Sequence, residues 1–196
     1  MGSREVNLDE IERRRQRLFD RFGEAPVYEQ KETPPPERFE EWIEMCDGGY
    51  LGGAYALVRR PPGKLPPLSE SFELEREERK RVLLVLLRGA SKWGVPGGGQ
   101  ESEETFETTA RRELREEVGL DVSLTGLTHL RHEIATCEGY DRRLHAMRVF
   151  FEVEYEDGSI TIQPEELNGA AWFADPPPED RLLPAAKRLL DGWSRE

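Results

Sequence analysis

Gly98-Gly99-Gln100-Glu101-Ser102-Glu103-Glu104-Thr105-Phe106-Glu107-Thr108-Thr109-Ala110-Arg111-Arg112-Glu113-Leu114-Arg115-Glu116-Glu117-Val118-Gly119-Leu120 is the stretch on which the fold turns. It opens on a glycine turn, continues in a helical pattern over residues 103–118, and stops at Gly119, a residue that ends helices readily. At about 100° per residue, Phe106, Ala110, Leu114 and Val118 step slowly around one face and form a core-facing stripe. Glu113, Glu116 and Glu117 fall within an arc of roughly 100° bordering that stripe, so the rim of the core is their expected place. Carboxylates so close repel, at roughly 3 kcal/mol per pair for ~6 Å and an effective dielectric near 20. A divalent cation reverses that sign. Oxygen-only ligands suit Mg²⁺, with Mn²⁺ as the alternative, and such ions complete their shells with water and phosphate oxygens. The glycine turn lets backbone approach a metal or phosphate closely and feeds a helix N-terminus. The bland reading of the same residues is a solvated helix laced by pairs with Arg111, Arg112 and Arg115.

The spacing G-x5-E-x7-R-E-Φ-x-E-E-x-G-Φ, with Φ aliphatic, resembles the Nudix box at every specified position over residues 98–120. The resemblance is strong over 93–120, looser from about 50 to 175, and absent from the first 45 residues. It implies an α/β fold of Nudix type: a mixed β-sheet sandwiched by helices, here with a helical N-terminal extension. It also implies that Glu113, Glu116 and Glu117 bind divalent metal and that the Gly97 carbonyl joins them. On the same ground Arg112 orients the glutamates and Glu104 supports the box. The implied activity is metal-dependent hydrolysis of a diphosphate linkage in a nucleoside diphosphate derivative. A carboxylate must then take the proton of the attacking water. Family members draw that base from the box helix or from a later acidic loop. Glu166, in Pro164-Glu165-Glu166-Leu167, is the later candidate, with Glu165 its competitor. An exposed loop acid without a role is the equal alternative.

Working outward, strands are predicted over 50–59, 81–88, 122–136, 144–155 and around 170–173, with a short one over 93–96. Residues 5–22 read as a helix with a stripe of Val6, Leu8, Ile11, Leu18, Phe19 and Phe22. Ala25 to Pro36 reads as a linker, Pro36 to Cys46 as a short helix, Pro61 to Lys80 as an exposed insertion, and Asp180 to Trp193 as the last helix. The division drawn from this is 1–45, an N-terminal helical extension, and 46–196, the Nudix domain. Deleting residues 1–40 is expected to leave a folded core. The front helix is read as a dimer arm, a lid or a brace, which leaves a homodimer open.

The formal net charge of −12 argues against a general nucleic-acid binder, since affinity for a phosphate backbone comes from clustered cations. It is compatible with a nucleotide-like small substrate whose charge a metal balances. Of 28 cationic residues, lysine occurs only at Lys31, Lys64, Lys80, Lys92 and Lys187. A salty cytoplasm and a GC-rich genome account for that bias equally well. Cys46 and Cys137 are too few for a disulfide framework. The start carries no apolar signal core, and the aliphatic run Val82 to Leu87 falls far short of the roughly 20 residues that span a membrane. A cytoplasmic protein with no membrane partner is expected.

Among possible substrates, an RNA 5′ end, ADP-ribose, nucleoside triphosphates and dinucleotides all stay open. Ala135 stands where ADP-ribose-cleaving members often have proline, and Tyr140 lies slightly too far along for the dinucleoside-polyphosphate tyrosine. A non-catalytic nucleotide-binding or regulatory module of Nudix fold is the alternative function; such modules typically lose box carboxylates, and this box keeps them all. His129, His132 and Cys137 raise a zinc reading that lacks a convincing fourth ligand. Tyr140, Arg142, Arg143 and His145 are candidates for base or phosphate contact, with ordinary polarity the simpler reading. Trp93 is expected to pack in the core beside the box.

Overall fold

The structure, a computed structural model, describes residues 3–60 and 80–191. The insertion read over Pro61 to Lys80 lies outside the described residues except for Lys80, as does the end of the last helix at Trp193. The architecture is α/β: among the described residues four helices accompany strands that pair both parallel and antiparallel. No helix among them is long and apolar enough to cross a membrane. The chain forms two compact units. The first comprises Met1–Ala54, Gly98–Thr109 and Gly126–Phe151; the second Tyr55–Gly97, Ala110–Thr125 and Glu152–Glu196.

In the first unit, strand β1 (Arg4–Val6) leads into helix α1 (Leu8–Phe22), then strand β2 (Val27–Glu32) and helix α2 (Pro36–Asp47). Helix α1 starts after Asn7, which is left-handed, and ends at Gly23, whose N–H returns to the Phe19 carbonyl. Ile11 and Leu18 are its buried residues, and Phe22 meets Phe151 edge-on at 5.7 Å. Pro36 starts α2 where its missing N–H costs nothing, and Phe39 and Cys46 face inward. They pack with Val6, Ala135, Cys137 and Leu144. The segment read as a linker is half strand: β2 pairs in parallel with β7 (Leu120–Thr136), Val27 opposite Leu130 and Glu32 opposite Ala135. β1 pairs in parallel with β8 (Arg142–Gly158). The first 45 residues therefore carry two strands as well as the two expected helices.

In the second unit, β4 (Arg81–Leu87) is flanked by β3 (Gly52–Arg60), β5 (Trp93–Gly94) and β9 (Leu167–Phe173), all antiparallel. Val82, Leu83, Leu84 and Val85 are buried, as a central strand requires. The β4–β9 register shifts between Leu86 and Leu87, next to the acidic loop. Gly97–Gly99, read as a turn, is a short strand β6 that pairs with β3. Trp93 packs edge-on against Phe173 at 5.0 Å, as expected of a core residue. Helix α4 (Pro184–Leu190) is shorter than read from sequence: Glu179–Arg181 is a 3-10 turn, and Pro184 starts the helix proper.

Candidate active site

Helix α3 (Phe106–Val118) contributes its first residues to the first unit and the remainder to the second. Its stripe is realised: Phe106, Ala110, Leu114 and Val118 are all buried. The entry is capped by Thr105, whose Oγ1 accepts the Thr108 N–H at 3.2 Å. Ahead of it, buried Gln100 donates from Nε2 to the carbonyls of Ser102 and Glu104, 3.0 Å each. Glu104 Oε2 accepts from the Glu101 N–H at 3.2 Å and from Thr109 Oγ1 at 3.0 Å, so this carboxylate stitches the loop to the first turn. Buried Glu107 receives both Arg17 donors, Nη1 at 2.9 Å and Nη2 at 2.6 Å, and Arg21 Nη1 at 3.4 Å. Burial alone would raise its pKa; the Arg17 hydrogen bonds, its own N–H and the charges of Arg17 and Arg21 outweigh that and hold it below the ordinary value.

The later turns, in the second unit, hold the box acids. Glu113 and Glu117 are buried and Glu116 is exposed, so two of the three expected rim carboxylates are desolvated. Arg112 Nη1 donates to Glu113 Oε1 at 2.9 Å and to Glu116 Oε2 at 3.0 Å, one guanidinium shared between two acids. Glu117 Oε2 accepts the Gly97 N–H at 2.8 Å. Gly97 takes φ of 135°, a region open to glycine. Burial pushes the Glu117 carboxyl up to about 7, against the Gly97 N–H and with the charges of Glu113 and Glu166 adding. Burial likewise raises Glu113, opposed by Arg112 and reinforced by Glu116 and Glu166.

Glu166 is brought to this cluster by the backbone. Thr161 N–H donates to the Val118 carbonyl at 3.1 Å and Gln163 N–H to the Glu117 carbonyl at 3.2 Å, tying the acidic loop to the end of α3. Gly119 permits that closeness: it is left-handed at φ 70°, and a Cβ there would stand 3.0 Å from the Ser159 carbonyl. From the other side Arg88 holds the loop. Its N–H donates to the Glu166 carbonyl at 2.7 Å, and its Nε and Nη2 both donate to the Pro164 carbonyl, the first at 2.9 Å. Gln163 Nε2 makes a 3.4 Å contact to Glu166 Oε1. Both Glu165 and Glu166 are exposed, but it is Glu166 whose charge acts on Glu113 and Glu117.

The donor set fits a hard divalent cation. Every acidic group in it offers oxygen, and two of the carboxylates are buried, which raises their pKa values. Among the described residues no three His, Cys, Asp or Glu side chains converge into a ready-made cage. Mg²⁺, which keeps several waters and substrate oxygens and takes one or two carboxylates, asks for less than a cage. The zinc reading finds no geometry. His129 stacks on Phe150 at 4.2 Å, His132 Nε2 bonds His145 Nδ1 at 2.8 Å, and Cys137 lies in the core.

The residues named for base or phosphate contact are occupied by acids of the front segment. Tyr140 donates to Glu40 at 2.6 Å, Arg142 pairs with Asp47 at 2.9 Å, Arg143 with Glu5 at 3.2 Å, and His145 Nε2 meets Glu5 at 2.5 Å. Arg88 and the Gly97 N–H were not legible as site components. A lone arginine ending a strand has no pattern, and a backbone donor has no side chain to read.

The chain matches the NUDIX domain family over residues 72–187. It is 34% identical over 96 residues to an NAD-capped RNA hydrolase NudC of Pseudomonas putida (strain W619), covering 48% of this chain and 32% of that protein. It is 32% identical over 113 residues to the protein of that name from Deinococcus radiodurans, covering 55% and 38%. The match thus spans about a third of the length of these relatives. Among solved structures, a MutT NUDIX hydrolase from Burkholderia pseudomallei is similar at 21% identity, covering 74% of this chain and 98% of that one with a TM-score of 0.47. With the box intact on α3 and the family match covering more than half its length, the chain belongs to the Nudix family.

Proposed function

We propose that this protein hydrolyses a diphosphate linkage in a nucleoside diphosphate derivative with the help of a divalent cation, Mg²⁺ or alternatively Mn²⁺. Glu113, Glu116 and Glu117 would hold the ion together with the Gly97 carbonyl. The observation that carries this reading is the pair of buried carboxylates, Glu113 and Glu117, on which the charge of Glu166 also acts. When bound, the cation supplies positive charge against phosphate oxygens and makes water a stronger acid. Arg112, bonded to both Glu113 and Glu116, aligns those two carboxylates. Water attacks phosphorus, the bond to the leaving phosphate oxygen breaks, and Glu166 takes the proton of the water. Arg88 keeps Glu166 within range by fixing the loop at two carbonyls.

The names of the relatives support a dinucleotide, or the dinucleotide-like end of an RNA, as the first substrate to test. The net charge of −12 favours contact with such an end rather than with a length of nucleic acid. A cytoplasmic location goes with this reading. The test is a product-resolved screen of NAD, ADP-ribose, nucleoside triphosphates, dinucleoside polyphosphates and NAD-capped RNA, with and without Mg²⁺ or Mn²⁺. Cleavage between two phosphates that needs the metal is expected. Binding of nucleotides without metal and without turnover would replace the enzyme by a binding module.

A further inference from the structure

Strand β2 ends the hydrogen-bonded strand order, and among the described residues its strand partner is β7. Its surface is unusually open for a strand, with Val27, Tyr28, Glu29 and Lys31 exposed. The Leu130 N–H donates to the Pro26 carbonyl at 2.9 Å, which fixes the phase of this parallel ladder. Alternation then turns the backbone of Tyr28, Gln30 and Glu32 toward β7, and that of Val27, Glu29 and Lys31 toward the open edge. Pro26 and Pro34 bound the segment and allow pairing only between them. The centre of that window is Gln30.

We propose that this edge is a self-association surface, on which β2 pairs antiparallel with β2 of a second copy of this chain about a two-fold axis at Gln30. The ladder phase limits the possible registers, and two further observations select one of them. The phase of the ladder requires outward-turned residues to face one another, so Glu29 and Lys31 are the ones available to exchange hydrogen bonds. The two prolines leave the greatest overlap when Gln30 faces Gln30. Charge then decides among shifted registers. Centring on Glu29 or on Lys31 sets like charges opposite each other, whereas centring on Gln30 sets Glu29 against Lys31 of the partner subunit, and Lys31 against Glu29 of the partner subunit. Such an isologous contact closes by itself and cannot propagate into a fibre. A lysine on an edge strand ordinarily discourages pairing. Here Glu29, 3.6 Å from Lys31 along the same strand, presents the complement to a two-fold mate. The side chains are 59% and 75% exposed, so the charges can be exchanged without touching the core.

The test is sedimentation equilibrium on the full chain from micromolar to millimolar concentration, with circular dichroism as the check on folding. Wild type is expected to form dimers. Lys31→Glu and Glu29→Lys each turn both cross-strand pairs repulsive and should weaken association on the order of tenfold or more. The double exchange, Glu29→Lys with Lys31→Glu, restores both pairs and should recover the wild-type dimer. A wild-type monomer throughout the range overturns the proposal. So does a dimer indifferent to the single changes, or a double variant no stronger than the singles. Should one single variant fail to fold, the other single variant, set against wild type and the double variant, still decides.

Discussion

Glu107 and Glu117 lie on the same helix, at 2% and 3% exposure, and their carboxyls move in opposite directions. Glu107 is held below its ordinary pKa because Arg17 and Arg21, both from α1, bring two cations to it. Burial pushes Glu117 up to about 7; the Gly97 N–H opposes that shift and the charges of Glu113 and Glu166 reinforce it. Both are almost fully shielded from solvent, so exposure alone does not separate them. What sets them apart is that Arg17 and Arg21 bring cations to Glu107, whereas the charged groups acting on Glu117 are acids. The front of α3 is electrostatically finished; the back is not.

Removing the supply of cations is the most drastic way to break the comparison. Sequence alone suggests a folded core without residues 1–40. We propose instead that residues 1–45 are an extension built into the fold. A truncated chain loses Arg17, Arg21, the β2–β7 ladder and buried Ile11, Leu18 and Phe39. Circular dichroism should show loss of cooperative structure; a native-like spectrum with a sharp melt would restore the independent core.

The next largest effect is expected from Glu117→Gln, which keeps the shape and removes the charge. Metal-dependent turnover should fall by at least about 100-fold, and the melting temperature should stay level or rise, because an unbalanced buried charge disappears. Near-normal turnover would remove Glu117 from the site.

Glu107→Gln inverts that pattern. Activity should be reduced only in proportion to folding, while stability should drop by about 1–3 kcal/mol in urea titrations. That range is kept modest because Arg17 is itself 43% exposed and screened. The smallest effect is the pH dependence of that gap. Since folding lowers the Glu107 pKa, its contribution is full above the unfolded value of 4.5 and lost as pH falls through the folded one. Wild type and Glu107→Gln should therefore differ at neutral pH and converge in acid; a gap that widens in acid would assign the wrong sign to the pair.

How much of this was readable beforehand follows from what each segment asks of its neighbours. Helix α3 was legible because Phe106, Ala110, Leu114 and Val118 repeat at the helical period and Gly119 stops them. The burial of Glu113 and Glu117 beside that stripe was legible from spacing; the exposure of Glu116 was not. Strand β2 was not, since Val27 to Glu32 has no alternation of apolar and polar residues and owes its conformation to pairing with β7. Glu166 was legible only as one of two adjacent acids. Its proximity to Glu113 and Glu117 depends on Arg88 and on bonds from Thr161 and Gln163 to the end of α3, links between residues far apart in the chain.

Gly119 sets a limit on how this protein can diversify. A side chain there would need a left-handed φ that residues other than glycine rarely adopt, and its Cβ would stand 3.0 Å from the Ser159 carbonyl oxygen and 3.2 Å from Thr161, so the segment leading to Glu166 would have to give way. In a mutant library selected for new substrates, exposed positions such as Glu165 are free to vary. That glycine should instead return unaltered among the survivors, a silent anchor beneath whatever specificity is being explored above it.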